Sequence, residues 1–176
     1  MKISKTLITK EEIENKISEI AHEINEKYKC EELVVIGILK GAFIVISDLA
    51  KQLQVDVAFD FMSIKSYYGS ESSGQVKIVK DLEYDISNKN VLIVEDIYDT
   101  GLTLLNLKKL LESRNPKSIE IFCMFIKKEF LKTQLILTTQ GLKLVLNLLL
   151  DMVLITTVNI ENCLTWQSSP RSRYCF

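Results

Sequence analysis

The sequence has a single histidine, His22, and no close pair of cysteines. The first scarcity excludes any mechanism that needs two histidines. His22 also falls inside a helical pattern, where a solvated position is expected. Cys30, Cys123, Cys163 and Cys175 stand far apart, which argues against a disulfide framework or a zinc site and fits a reducing cytoplasm. No charge of one sign dominates. The formal net charge is −1, and the Lys and Arg residues are spread out, so there is no electrostatic footprint for nucleic acid. The opening "MKISKTLITKEEIENK" turns polar too soon for a signal peptide. No internal repeat and no low-complexity segment occurs. What is present is a 176-residue chain, 47% hydrophobic and 26% charged. That suits one globular domain with a real core.

Hydrophobic periodicity sets out the elements. Thr9 and Glu12 form a T-x-x-E capping box. Ile13, Ile17, Ile20, Ala21 and Ile24 follow at helical spacing up to about Tyr28. "LVVIGI" (33–38) is a short apolar run rich in β-branched residues and predicts a buried parallel strand. After "LKGA", a helix is expected from Phe43 to Leu53. "VDVAFDFMSI" (55–64) alternates as a strand, and "VKIV" (76–79) can return as the other arm of a hairpin. Between them, "KSYYGSESSGQ" (65–75) has the composition of a mobile loop. "NVLIVE" (90–95) is a second buried strand, Gly101 to Ser113 an amphipathic helix, and "SIEIFCMFI" (118–126) a third buried strand. Pro116 breaks the helix before that last strand. Alternating strands and helices predict an α/β fold, with a mostly parallel sheet flanked by helices. Ligands in such sheets bind beyond the carboxyl ends of the strands, where Leu39–Ala42 and Glu95–Thr103 fall.

The stretch "VLIVEDIYDTGLTL" (91–104) carries the most chemistry. Thr100 and Thr103 offer hydroxyls, Gly101 lets the backbone approach a ligand, and a helix begins there with free N–H groups. That combination is an anion site, and phosphate is its commonest occupant. Glu95 and Asp96 can accept hydrogen bonds from a diol or help to hold a divalent cation. Phosphate donors beside diol acceptors describe a sugar phosphate. Asp99, between them, is placed as a base or an acceptor. The plainer alternative makes Asp99 a helix cap and the acid pair a solvated strand end. Two acids abutting a buried strand, followed by D-T-G-x-T, weigh against it. "LKGA" is weaker by itself: the backbone around Lys40–Gly41 can cradle a second anion such as pyrophosphate, or simply turn the chain. The loop with Ser66, Tyr67 and Tyr68 can close over the site, or simply join a hairpin.

"VLIVEDIYDTGLTL" resembles the phosphoribosyl pyrophosphate (PRPP) signature of type I phosphoribosyltransferases. Together with "VVIGILKGAF" and "DFMSIKSYYG", in that order, it resembles the hypoxanthine (hypoxanthine-guanine) branch. The resemblance covers roughly residues 1–128. It implies the type I phosphoribosyltransferase fold, a Mg²⁺ cofactor, and transfer of the phosphoribosyl group from PRPP to the N9 of hypoxanthine or guanine. It implies that Glu95 and Asp96 bind the ribose hydroxyls, with a further part in holding the metal. Asp99 would be the general base near purine N7. Thr100, Gly101, Leu102 and Thr103 would bind the 5′-phosphate, Lys40 and Gly41 would form the pyrophosphate loop, and Ser66 and Tyr67 would belong to the flexible loop. A cytoplasmic homodimer or homotetramer is implied too, if the C-terminal part permits it.

That C-terminal part departs from the family. The resemblance calls for a lysine and a stacking aromatic that hold the purine, and an aspartate near the metal, within a stretch like V-V-G-Y-G-L-D-Y. In its place stands "LKLVLNLLLDMVLITTVNIENCLTW", and no aromatic residue occurs between Phe130 and Trp166. Residues 1–130 therefore read as a phosphoribosyltransferase core and 131–176 as an atypical apolar tail. Leu142 to Val158 is short for a membrane span and is interrupted by Lys143, Asn147 and Asp151. A buried helix peculiar to this chain is a second reading. A slipped reading frame is a third. Leu148 to Thr156 can be written TTG TTG TTG GAT ATG GTC TTG ATT ACA. Read two bases on, this gives V-V-G-Y-G-L-D-Y. Glu161 to Ser168 treated alike gives E-L-P-Y-M-A-V, again like the family's C-terminal strand. Synonymous codons were free to choose, but the Met and Trp codons were not, and both fit. The slip would lie between about Lys127 and Gln140. Rival functions are a phosphoribosyltransferase for another base, such as adenine or xanthine, and a PRPP-binding regulatory protein without catalysis.

Overall fold

The computed structural model describes residues 5–66, 76–98, 101–127, 139–144 and 166–168. After a short strand β1 (Lys5–Ile8), helix α1 (Lys10–Lys27) begins where the capping box requires. The Glu12 N–H donates to Thr9 Oγ1 at 3.2 Å, and the Thr9 N–H donates to Glu12 Oε2 at 2.7 Å. Two otherwise orphaned backbone donors are satisfied reciprocally. Ile17, Ile20, Ala21 and Ile24 are buried on one face, and His22 is exposed.

The main sheet has six strands, β2 (Leu33–Ile38), β3 (Val57–Ser66), β4 (Val76–Lys80), β5 (Asn90–Tyr98), β6 (Ser118–Lys127) and β7 (Thr139–Leu144). Their spatial order is β4-β3-β2-β5-β6-β7. All pairings are parallel except β3 with β4, the expected hairpin. A separate antiparallel pair joins β1 to β8 (Trp166–Ser168). The predicted α/β class with a mostly parallel, helix-flanked sheet is the one observed.

Both faces of the central strands are covered, which is why their sequences run apolar without alternation. Leu33, Val35, Leu92, Val94 and Phe122 pack with α1 and with helix α2 (Ala42–Ala50). Val34, Ile36, Val91, Ile93 and Ile121 pack on the other face with Leu104, Leu107 and Leu111 of helix α3 (Leu102–Glu112). Each such side chain contributes roughly 1.5–3 kcal/mol of burial.

Three elements differ in their bounds from expectation. Strand β3 starts and ends two residues later than 55–64, because Lys65 and Ser66 pair with Lys77 and Val76 of β4 and so belong to the strand, not to the loop. Helix α2 ends at Ala50, three residues before Leu53. Asn25 of α1 donates to the Gln52 carbonyl at 2.9 Å and accepts from the Gln54 N–H at 2.7 Å, drawing the chain out of the helix. Strand β5 runs past Glu95 to Tyr98, because Ile97 and Tyr98 continue the pairing with Phe125 and Ile126 of β6.

The topology makes a crevice. From β2 the chain passes through α2 outward to β3; from β5 it passes through α3 outward to β6 on the opposite side. Neighbours β2 and β5 are therefore the topological switch point, where helices depart to opposite faces and ligands bind at the carboxyl ends.

Asp60 fixes the root of the hairpin. Only 3% exposed, it accepts from the Phe61 and Glu83 N–H groups at 2.7 Å and from the Tyr84 N–H at 3.0 Å, with Lys80 Nζ at 3.8 Å. Bonds to an ionised acceptor are the strong kind, and their loss strands buried donors. Asp60→Ala is predicted to lower stability by about 1.5–3 kcal/mol, measured as a shift of the urea midpoint.

Candidate active site

The turn after β2 and the turn after β5 meet. Gly41 is the N-cap of α2 and packs against the Asp96 carboxylate so closely that a Cβ there would overlap it. The residue must be glycine because of that contact, since its own backbone is ordinary right-handed. The preceding Leu39–Lys40 peptide is cis, and Lys40 is exposed. Asp96 also accepts from the Ile97 N–H at 2.9 Å, which orients its carboxylate.

Glu95 lies opposite Cys123 of β6 in the register. Its Oε2 is buried and meets no hydrogen-bond partner among the described residues. Burial, first, then the charge of Asp96 and hydrogen bonding with it, push the Glu95 carboxyl well above the ordinary carboxylate range. Burial likewise pushes the Cys123 thiol up, with Glu95 and Asp96 adding to the effect. A neutral thiol under the acid pair is a chemically quiet floor. Nothing in the linear sequence marks Cys123 as part of the site, since only strand register brings it there.

At the far side of the crevice, Gly101 is the N-cap of α3 with φ 75°, a left-handed conformation that favours glycine. A Cβ at that position would also strike the ring of Tyr98, which is fully buried beneath the turn. Helix α3 then presents the N–H groups of its first turn; the first helical bond in this turn is Leu105 N–H to the Gly101 carbonyl at 2.9 Å. Thr103 is in that turn and partly exposed, while Leu102 is 51% exposed. The positive end of a helix suits an anion.

The structure thus brings together Gly41, Glu95, Asp96, Gly101, Leu102 and Thr103 around the ends of β2 and β5. Ser66 is the last residue of β3. Asp99, Thr100 and Tyr67 lie outside the described residues, as does the rest of the loop to residue 75.

The Glu95 burial has a consequence for stability. A carboxyl whose pKa is higher folded than its ordinary 4.5 binds a proton more tightly in the native state. That contribution is fully present below the unfolded value and is lost as pH rises through the folded one. Glu95→Gln is predicted to be more stable than the parent at pH 8, read as a higher urea midpoint. Denaturation curves should converge as pH falls toward the unfolded value.

Comparison with known proteins agrees with this geometry. Residues 5–145 match the phosphoribosyl transferase domain family, so the match runs past Lys128, where the family-like motifs end, and takes in β7. The hypoxanthine-guanine phosphoribosyltransferase of Staphylococcus aureus is 42% identical over 126 residues, 71% of this chain and 70% of that protein. The hypoxanthine phosphoribosyltransferase of Buchnera aphidicola is 43% identical over 128 residues, 71% of this chain and 72% of that one. A crystal structure of a hypoxanthine phosphoribosyltransferase from Staphylococcus aureus superposes with a TM-score of 0.76 at 39% identity, covering 81% of this chain and 78% of that one. One of a hypoxanthine-guanine phosphoribosyltransferase from Bacillus anthracis gives 0.75 at 38% identity, covering 82% and 86%. The chain belongs to the phosphoribosyltransferase family, in its hypoxanthine (hypoxanthine-guanine) branch, whose members are purine-salvage glycosyltransferases.

Proposed function

We propose that the site is built to transfer the phosphoribosyl group of PRPP to N9 of hypoxanthine or guanine, giving IMP or GMP and pyrophosphate. The observation that carries this reading is the seating of Gly41 on Asp96, which makes the two turns parts of one crevice. In it the ribose diol donates to Glu95 and Asp96. The 5′-phosphate takes the donors of Thr100, Gly101, Leu102 and Thr103 at the α3 N-terminus. Lys40 and the backbone at Gly41 receive the pyrophosphate, and Ser66 and Tyr67 belong to the segment that covers it. Asp99 accepts the proton that the purine gives up. Positioning and charge stabilisation supply most of the acceleration as the C1′–pyrophosphate bond loosens.

No group of three metal-ligating side chains occurs among the described residues. Two adjacent carboxylates, one with an unpartnered oxygen, nonetheless fit Mg²⁺, which keeps much of its shell as water and phosphate oxygens. When bound by Glu95 and Asp96, Mg²⁺ would neutralise charge on the leaving pyrophosphate. A cytoplasmic setting and a homodimer or homotetramer accompany this reading. No helix of the described residues is long and apolar enough to cross a membrane.

The tail qualifies the activity. The S. aureus relative aligns over 71% of this chain, and the purine-holding lysine, aromatic and aspartate are missing from residues 131–176. A frame slip between about Lys127 and Gln140 accounts for that loss. Source codons unable to yield V-V-G-Y-G-x-D-Y in the other frame would sink it. The second reading, a PRPP-binding protein with little or no turnover, is favoured by the same absence.

The assay follows IMP formation from PRPP and hypoxanthine alongside calorimetric PRPP binding. PRPP binding with weak turnover is expected, and Asp99→Asn should reduce any turnover by about 10²–10⁴ while sparing PRPP affinity. Failure to bind PRPP would remove the proposed function.

A further inference from the structure

Strand β2 ends at Ile38, whose partner on β3 is Met62. Beyond it Ser63 to Ser66 pair only with β4. At ~3.3 Å per residue, this two-stranded arm reaches about 13 Å past the end of β2. Its root is held by Asp60 and Lys80, as described above.

Lys65 and Lys77 are directly opposed in the register of this arm, and both are exposed. Opposed side chains share a face, with Cβ atoms about 4.5–5.5 Å apart. Neither lysine has an ion-pair or hydrogen-bond partner among the described residues. Lys80, by contrast, is paired with Asp60 and Glu83. Ile64 and Ile78 pack toward the α3 core, so the alternation of the strands turns Lys65 and Lys77 to the opposite side. That is the α2 side: Phe61, an even number of residues from Lys65, meets Phe43 of α2 with ring centroids 6.2 Å apart. The pyrophosphate turn at Lys40–Gly41 leads into the same helix. Directly opposed like charges destabilise an antiparallel pair. An anion lying across both ammonium groups reverses that effect.

We infer that Lys65 and Lys77 form a capture site for a pyrophosphate group, which draws PRPP to the crevice before it settles at the switch point. The inference rests on the proposed function, and it adds two residues which that reading leaves unused. Clustered charge beside a cleft raises the local concentration of an opposite ion and is screened by salt.

The test is calorimetric titration of the full chain with PRPP and, separately, with inorganic pyrophosphate, at low and high salt. The Lys65→Gln/Lys77→Gln double variant should bind both about tenfold more weakly at low salt. The gap should close at high salt, and Lys65→Arg/Lys77→Arg should restore affinity. Lys65→Glu separates binding from structure: it sets opposite charges across the arm, so Tm should rise while PRPP affinity falls. Unchanged PRPP affinity in the glutamine double variant would overturn the capture site and leave the proposed function standing. Weaker binding of inorganic pyrophosphate alone would also overturn it as a substrate site. A parent chain that binds pyrophosphate but not PRPP would overturn the proposed function, and the assignment to PRPP with it.

Discussion

The site depends on one steric fact: the backbone at Gly41 rests on the carboxylate of Asp96. Gly41 begins α2 and Asp96 lies near the end of β5, so this contact joins two turns far apart in sequence. It is possible because β2 and β5 are adjacent in the sheet while their following helices leave toward opposite faces. The fold opens a crevice there, and the absence of a side chain at Gly41 lets the crevice close down on an acid.

The rest of the arrangement follows from burial. Strands β2, β5 and β6 are covered on both faces, which makes their ends rigid supports. Glu95 is carried into that environment by the strand, and its Oε2 meets no hydrogen-bond partner among the described residues. The result is an acid held toward its neutral form beside a second acid, above a buried thiol. Such an arrangement costs stability, and functional sites are where that cost recurs. Opposite the acids stand Gly101 and the first turn of α3, the positive end of that helix. One side of the crevice carries acids and the other a helix N-terminus.

Much of this was legible in the sequence, for physical reasons. The apolar runs at 33–38 and 118–126 are long enough to fix strands, and the Thr9 capping box marked a helix start to the residue. The two turns were recognisable because glycine, hydroxyls and acids at strand ends are costly unless used. Long-range effects were not legible. The end of α2 depends on Asn25, distant in sequence. The extension of β5 depends on continued pairing with β6. The place of Cys123 under Glu95, and of Lys65 across from Lys77, exists only in strand register. The role of Asp60 required seeing which backbone donors surround it.

The most direct test of the account is PRPP affinity in Gly41→Ala, measured by calorimetry together with Tm. A methyl at this position cannot coexist with the Asp96 carboxylate where it stands, so either the turns separate or the carboxylate swings away, and both disturb the site. The account predicts a loss of PRPP affinity of about tenfold or more, with the chain still folded. Affinity equal to that of the parent would contradict the claim that the two turns form one site.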